Sequence, residues 1–111
     1  MFPTTTNVVL ATGALQYNLN FTKTGNVCVL QGFIKNNSGT ILTNPSFYTI
    51  TTPLFQAKVA QIFVGSRNIT SNLAKINLTN SASTLPNQII LLGAMSGAEV
   101  VSFSLTYIVN D

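Results

Sequence analysis

The sequence has few ionisable side chains. Charged residues make up 6% of its 111 positions, against roughly 25% in an average soluble domain. It contains no histidine, so no imidazole is available as a general base, a metal ligand or a pH switch. Its carboxylate side chains are Glu99 and Asp111, too few for a two-carboxylate hydrolase or an all-oxygen metal cage. We therefore predict that the chain is not an enzyme, uses no cofactor and binds no metal.

Cysteine is equally scarce. The single Cys28 allows no disulfide within the chain and no cysteine-based zinc site. It lies between Val27 and Val29 in an apolar segment, so we expect a small buried hydrophobe rather than a reactive thiol.

The basic residues are scattered. Lys23, Lys35, Lys58, Arg67 and Lys75 give a net charge of +3, and no two of them are adjacent. Proteins that bind nucleic acid usually concentrate such residues on one face, so we expect no nucleic-acid partner. No apolar run approaches the roughly 18 residues of a membrane helix, and the first residues do not read as a signal peptide. These features predict synthesis in a cytoplasm and no membrane insertion.

Amides, hydroxyls and strand-forming residues take the place of charge. Asn, Gln, Ser and Thr account for 42 of the 111 residues. Val, Ile, Thr, Phe and Tyr account for 43, which favours strands. The clearest pattern is the alternation of apolar and polar residues over 15–22, followed by a turn at 23–26 and an apolar segment at 27–34. This pattern predicts a β-hairpin.

The rest of the chain reads as further short strands separated by turns. We predict turns or loops at 36–39, 65–68, 80–87 and 93–98, and strands at 47–51 (an edge strand), 57–64, 73–79, 88–92 and 101–109. Seven or eight strands at this spacing are typical of an all-β fold, a jelly-roll-like antiparallel β-sandwich. We expect a single domain over residues 1–111, in which 1–7 form an extended N-terminal arm.

Few charges and strands that are apolar on both faces favour a homo-oligomer, because a small domain leaves much of its surface uncovered. A monomer that Asn, Ser and Thr keep soluble is the alternative.

Four residues are candidates for ligand binding. Arg67 and Asn68 lie in the predicted turn, where the guanidinium is suited to an anionic sugar or phosphate. Phe47 and Tyr48 follow Asn44-Pro45 and are suited to stacking against a sugar. A solvated turn residue and a core aromatic are the respective alternatives. Met95 is a weaker candidate for an exposed apolar contact, and Glu99 for pairing with a lysine of another subunit or for capping a strand end.

The opening hairpin contains Lys23, Gly25, Val27 and Gly32, and the closing strand contains Tyr107. In these residues the chain resembles the small β-sandwich modules at the distal ends of bacteriophage tail-fibre, baseplate and head-fibre proteins. It implies a trimeric virion protein that contacts a host-surface glycan or protein and other virion proteins. Such modules often follow a fibrous shaft, so we expect either an excised fibre tip or a free-standing small virion protein.

Neutral, amide-rich loops suit sugar hydroxyls, which need hydrogen bonds rather than charge. The expected function is therefore non-enzymatic binding of a host glycan by a virion protein. The alternatives are a decoration protein that binds only its own virion and a carbohydrate-binding module from a secreted enzyme, which would more often be monomeric and carry tryptophan.

Overall fold

A computed structural model of the protein describes residues 2–79 and 87–109. Within these ranges the regular structure is β-strand, apart from one turn of 3-10 helix at Pro53–Phe55. The all-β prediction is confirmed. The strands, numbered β1 to β10 in chain order, are Thr4–Leu10, Leu15–Thr24, Val27–Asn36, Leu42–Thr43, Ser46–Thr49, Gln61–Arg67, Leu73–Leu78, Gln88–Leu92, Ala94–Met95 and Val100–Ile108.

Eight of these strands form one curled antiparallel sheet, in the order β1-β2-β3-β10-β6-β7-β8-β5. The short strands β4 and β9 pair with each other in a separate two-stranded sheet. β1 and β5 lie at the two edges of the large sheet, as predicted for the proline-flanked segment that contains β5. β1 contains neither proline nor a charged residue.

The predicted hairpin is confirmed, and each of its strands is longer than expected. β2 and β3 pair along their whole length, from Leu15 opposite Asn36 to Thr24 opposite Val27. The alternation in β2 places Leu19 and Phe21 in the core, while Asn20 points away from it. Cys28 in β3 is fully buried, as predicted.

The predicted turn at 65–68 is wrong. β6 continues through Gly65 to Arg67, and Ala57, the predicted start of this strand, makes only an isolated bridge to Val109. Gly65 lies inside the sheet, where β10 approaches it closely. A side chain would not fit here, because a Cβ atom would be 2.7 Å from a methyl group of Val101. This glycine indicates a close approach of strands, not a turn.

Two further segments differ from the sequence pattern. The predicted turn at 93–98 contains strand β9, and its Met95 is fully buried rather than exposed, because β9 pairs with β4. Residues 4–7 of the predicted N-terminal arm belong to β1 and pair with β2. The predicted loop at 80–87 lies outside the described residues except for Asn87.

The core occupies the inner side of the curled sheet. Its aromatic rings connect the two ends of the strand order: Tyr48 of the edge strand β5 lies 5.3 Å, centroid to centroid, from Tyr17 of β2, and Phe55 lies 5.4 Å from Phe21. The Tyr107 hydroxyl of β10 donates a hydrogen bond to the Phe55 carbonyl at 2.7 Å. Each large apolar side chain buried here stabilises the fold by roughly 1.5–3 kcal/mol.

Gly32 in β3 is required by the closeness of the neighbouring strand. Its φ of 151° lies in a region that favours glycine, and a Cβ atom would be 1.9 Å from the backbone oxygen of Asn18 in β2. A side chain at this position therefore forces β2 and β3 apart. Gly13 also has a positive φ, of 91°, but a Cβ atom there would have no neighbour within 4 Å.

We predict that Gly32→Ala lowers the free energy of unfolding by about 3 kcal/mol, since it adds a backbone clash to the conformational strain. Gly13→Ala is the matched control and loses about 1 kcal/mol, because only the strain applies. Urea denaturation followed by circular dichroism measures both. Equal losses in the two variants would contradict the role assigned to the β2–β3 contact.

Candidate functional site

Arg67, the first predicted ligand-binding residue, is engaged within the chain. It ends β6, where it pairs with Val101 of β10. Its Nη1 donates to Oε2 of Glu99 at 2.7 Å, and the side chain of Glu99 is fully buried while that of Arg67 is 16% exposed. Glu99 thus forms an ion pair inside its own chain.

Asn68, the next residue, continues this contact with β10. Its Oδ1 accepts a hydrogen bond from the Val100 amide at 2.8 Å, and its own amide donates to the Val100 carbonyl at 3.1 Å. The structure therefore brings Arg67 and Asn68 together at the start of β10.

Glu99 and Asn36 are the centre of a buried polar network that the sequence pattern did not indicate. The Glu99 carboxylate also accepts a hydrogen bond from the Ser96 amide at 2.9 Å, and the Glu99 carbonyl accepts one from the Asn36 amide at 3.0 Å. The Asn36 side chain donates to the carbonyls of Thr40 and Met95 at 2.8 and 2.9 Å. The network holds the end of β3 against the start of β10, so these polar groups stabilise the fold.

Phe47 and Tyr48 lie elsewhere in the sheet, on β5, which β7 and β8 separate from β6. Phe47 is buried in the core. Tyr48 is half-buried with its ring against Tyr17 and Phe21, and burial raises the pKa of its hydroxyl. The structure does not bring this pair together with Arg67 and Asn68, and ligand binding at the four residues stays a prediction.

The one thiol of the chain is held in its neutral form. Burial raises the pKa of Cys28, and burial together with the neighbouring Cys28 raises the pKa of Tyr107 well above its ordinary range. A raised pKa disfavours the anionic form of each group, so neither is activated as a nucleophile near neutral pH. Residues 2–79 and 87–109 contain no cluster of three His, Cys, Asp or Glu side chains suited to a metal ion.

The outer side of the sheet, facing away from the core, contains an ordered set of polar side chains. Across β1, β2, β3 and β10 the strand register aligns three rows of four residues. We call this surface the polar face. Its rows are Thr5-Thr22-Val29-Thr106, Asn7-Asn20-Gln31-Ser104 and Val9-Asn18-Phe33-Ser102.

Asn7 organises one end of the polar face. Its NH₂ group lies within hydrogen-bond distance of three acceptors: Oδ1 of Asn18 and Oδ1 of Asn20, each at 2.8 Å, and the Leu19 carbonyl at 3.1 Å. Asn18 and Asn20 therefore turn their oxygens toward Asn7, and their NH₂ groups remain as donors. An edge strand thereby sets the orientation of two amides on its neighbour.

Phe33 is the aromatic residue of the polar face. It is 37% exposed and stands between Asn18 of β2 and Ser102 of β10 in the third row. The sequence pattern showed the outward polar residues of β2, but it did not show that β1, β3 and β10 extend them into rows, because register between distant strands is not visible locally.

The other half of the outer side is apolar. Ile62 and Val64 of β6 and Leu73 of β7 are 64%, 51% and 58% exposed, and they continue onto Ile90 and Leu92 of β8. We call these five residues the aliphatic face. Lys75 and Asn77 of β7 lie among them. The chain thus presents two chemically distinct surfaces on one sheet.

Comparisons with protein-family profiles and with curated proteins find no match to this chain. Of the residues that the structure describes, none form a helix with the length and apolar character needed to cross a bilayer.

We predict that Glu99→Gln lowers the free energy of unfolding by about 3 kcal/mol, because Arg67 loses its anionic partner in a largely buried site. Lys75→Gln, which removes an exposed charge, is the control and changes stability by less than about 0.5 kcal/mol. Guanidinium titrations give both values. If the two variants proved equally stable, the ion pair would not hold β6 and the start of β10 together.

Proposed function

We propose that this chain is a non-catalytic module of a bacteriophage virion, located in a tail or head fibre, which works as a homotrimer and attaches to host-surface glycans. The observation that carries the proposal is the division of one sheet surface into an uncharged polar face and an aliphatic face. The resemblance of the opening hairpin and of the Tyr107 strand to phage fibre modules supports the virion assignment.

The aliphatic face supports self-association. Ile62, Val64 and Leu73 are each more than half exposed, and large apolar patches on a soluble protein are usually covered by a partner. A second copy of the chain is a suitable partner because it offers an equally apolar surface. In the proposed assembly the copies cover their aliphatic faces and leave their polar faces outside.

The finer architecture that we propose is a jelly-roll-like β-sandwich. The ring contacts of Tyr48 with Tyr17 and Phe21 support it, since they join the edge strand β5 to β2 across the core. In this arrangement the two ends of the curled sheet act as opposing layers.

The polar face supports contact with sugars. Amide and hydroxyl side chains provide both donors and acceptors, which sugar hydroxyls require. In the proposed trimer, three copies can bind at once. Their weak individual contacts add up to firm attachment, because each bound copy raises the effective concentration of the remaining sites.

We predict that the protein has about three times its protomer mass of 11.9 kDa in solution at micromolar concentration. Val64→Lys places a second ammonium group on the aliphatic face, opposite Lys75, and shifts the association midpoint to at least ten-fold higher concentration, because the interface would then bury two unpaired ammonium groups instead of one. Val59→Lys is the matched control: Val59 is 60% exposed, close to the 51% of Val64, but it precedes β6 and belongs to neither face. Light scattering coupled to size exclusion measures the mass, and a monomeric parent protein would contradict the proposal.

We expect the labelled protein to adsorb saturably to some strains in a panel of Gram-negative and Gram-positive bacteria. Mild periodate oxidation of the cells, which destroys sugar diols, removes that adsorption. The Val64→Lys variant binds more weakly than Val59→Lys, since it loses multivalency. Flow cytometry measures these differences. Binding to phage particles without any binding to cells would favour the decoration alternative and overturn attachment to the host.

A further inference from the structure

We infer that the polar face is itself the glycan site and that it takes an uncharged oligosaccharide, laid across β1, β2, β3 and β10. The inference rests on the proposed function and goes further, because it assigns the contact to a surface and the ligand to a chemical class. The proposed site consists of the second row of the polar face and two residues of the third row. These residues are Asn7, Asn20, Gln31 and Ser104 of the second row, and Asn18 and Phe33 of the third.

The donors of this face are set in place before any ligand arrives. Asn7 fixes the amides of Asn18 and Asn20 through their oxygens, which leaves both NH₂ groups as donors. No hydrogen bond within the described residues uses the side chain of Gln31 or of Ser104. Because strands lie about 4.8 Å apart, the second row extends about 14 Å, enough for a short oligosaccharide. A ligand meeting prearranged groups loses less entropy in ordering them.

Phe33 adds an apolar contact beside these polar groups. Its ring is 37% exposed, in the row that also contains Asn18, Ser102 and the exposed Val9. A pyranose ring has one face covered mainly by C–H groups, which packs against the electron-rich face of an aromatic ring. A sugar can both stack on Phe33 and form hydrogen bonds with the adjoining amides, whereas a water molecule can form only the hydrogen bonds.

The absence of charge on the face selects the class of glycan. None of the twelve residues in its three rows is ionisable. The acidic side chain among the described residues, Glu99, is buried and paired with Arg67, and Lys35 is on the same side of β3 as Phe33, one row beyond the three. An anionic polysaccharide would therefore find no matched cation within the rows, whereas a neutral one needs none.

The residues that the sequence predicts for ligand binding are less available to a sugar than those of the polar face. The Arg67 guanidinium is bound to Glu99, the Asn68 side-chain oxygen is bound to the Val100 amide, and Phe47 is in the core. Gln31 and Phe33, in contrast, are exposed side chains whose removal leaves the core intact.

The test is a titration of the full-length, ¹⁵N-labelled protein followed by NMR. The neutral probes are maltohexaose, cellohexaose, mannohexaose and chitohexaose, and the anionic comparison is an oligomer of alginate. We expect at least one neutral probe to shift the side-chain amide signals of Asn18, Asn20 and Gln31, and alginate to shift none of them.

The variant Gln31→Ala/Phe33→Ala loses at least ten-fold in affinity for that probe. Asn77→Ala removes an amide from the same outer side, in the aliphatic half, and is the matched control with unchanged affinity. Thermal unfolding midpoints verify that both variants fold.

Each other result overturns the inference in a recognisable way. A neutral probe that shifts signals near Arg67 or Tyr48 instead contradicts the location but keeps the proposed function. Adsorption to cells that periodate abolishes, without binding of any neutral probe, points to an anionic glycan and contradicts the ligand class alone, whereas periodate-resistant adsorption points to a protein receptor and contradicts the proposed function as well. Failure of both sugar binding and cell adsorption contradicts the inference and the proposed function together.

Discussion

The pairing register of the curled sheet decides which side chains this protein buries and which it presents. Since side chains alternate along every strand, a slip of one residue between β2 and β3 would exchange Leu19 and Phe21 for Asn18 and Asn20 in the core. The cost of burying those amides without partners keeps the register in place. The rows of the polar face are thus a by-product of core packing: the force that buries the apolar half of each strand also aligns the polar half.

Polar groups in the interior serve that same register. Arg67, Glu99 and Asn36 join β6, β10 and β3 at one end of the sheet, and the hydrogen bonds of the Asn36 side chain reach β9 and the turn that follows β3. A chain with so few charges places two of them in this one contact. The ion pair joins the last residue of β6 to the residue that precedes β10.

Much of the fold could be predicted from local pattern. The alternation over 15–22 and 101–109 placed the inward residues of β2 and β10 correctly, because period-two burial is visible in a single strand. Gly65 and Met95 were misassigned for a common reason. Their surroundings are set by strands far away in sequence, β10 for Gly65 and β4 for Met95, and no local signal reports such a neighbour. The polar face was not predicted either, because its rows form only when four strands that are distant in sequence pair in register.

The outer edge of β1 has a further consequence. This strand, Thr4–Leu10, contains five Thr or Val residues of high strand propensity and no lysine, proline or bulge to discourage another strand from pairing there. Sheet proteins commonly protect such an edge with charged residues, prolines, bulges or a covering segment. In the isolated protein, this margin is where fibril-like, edge-to-edge growth meets the least resistance.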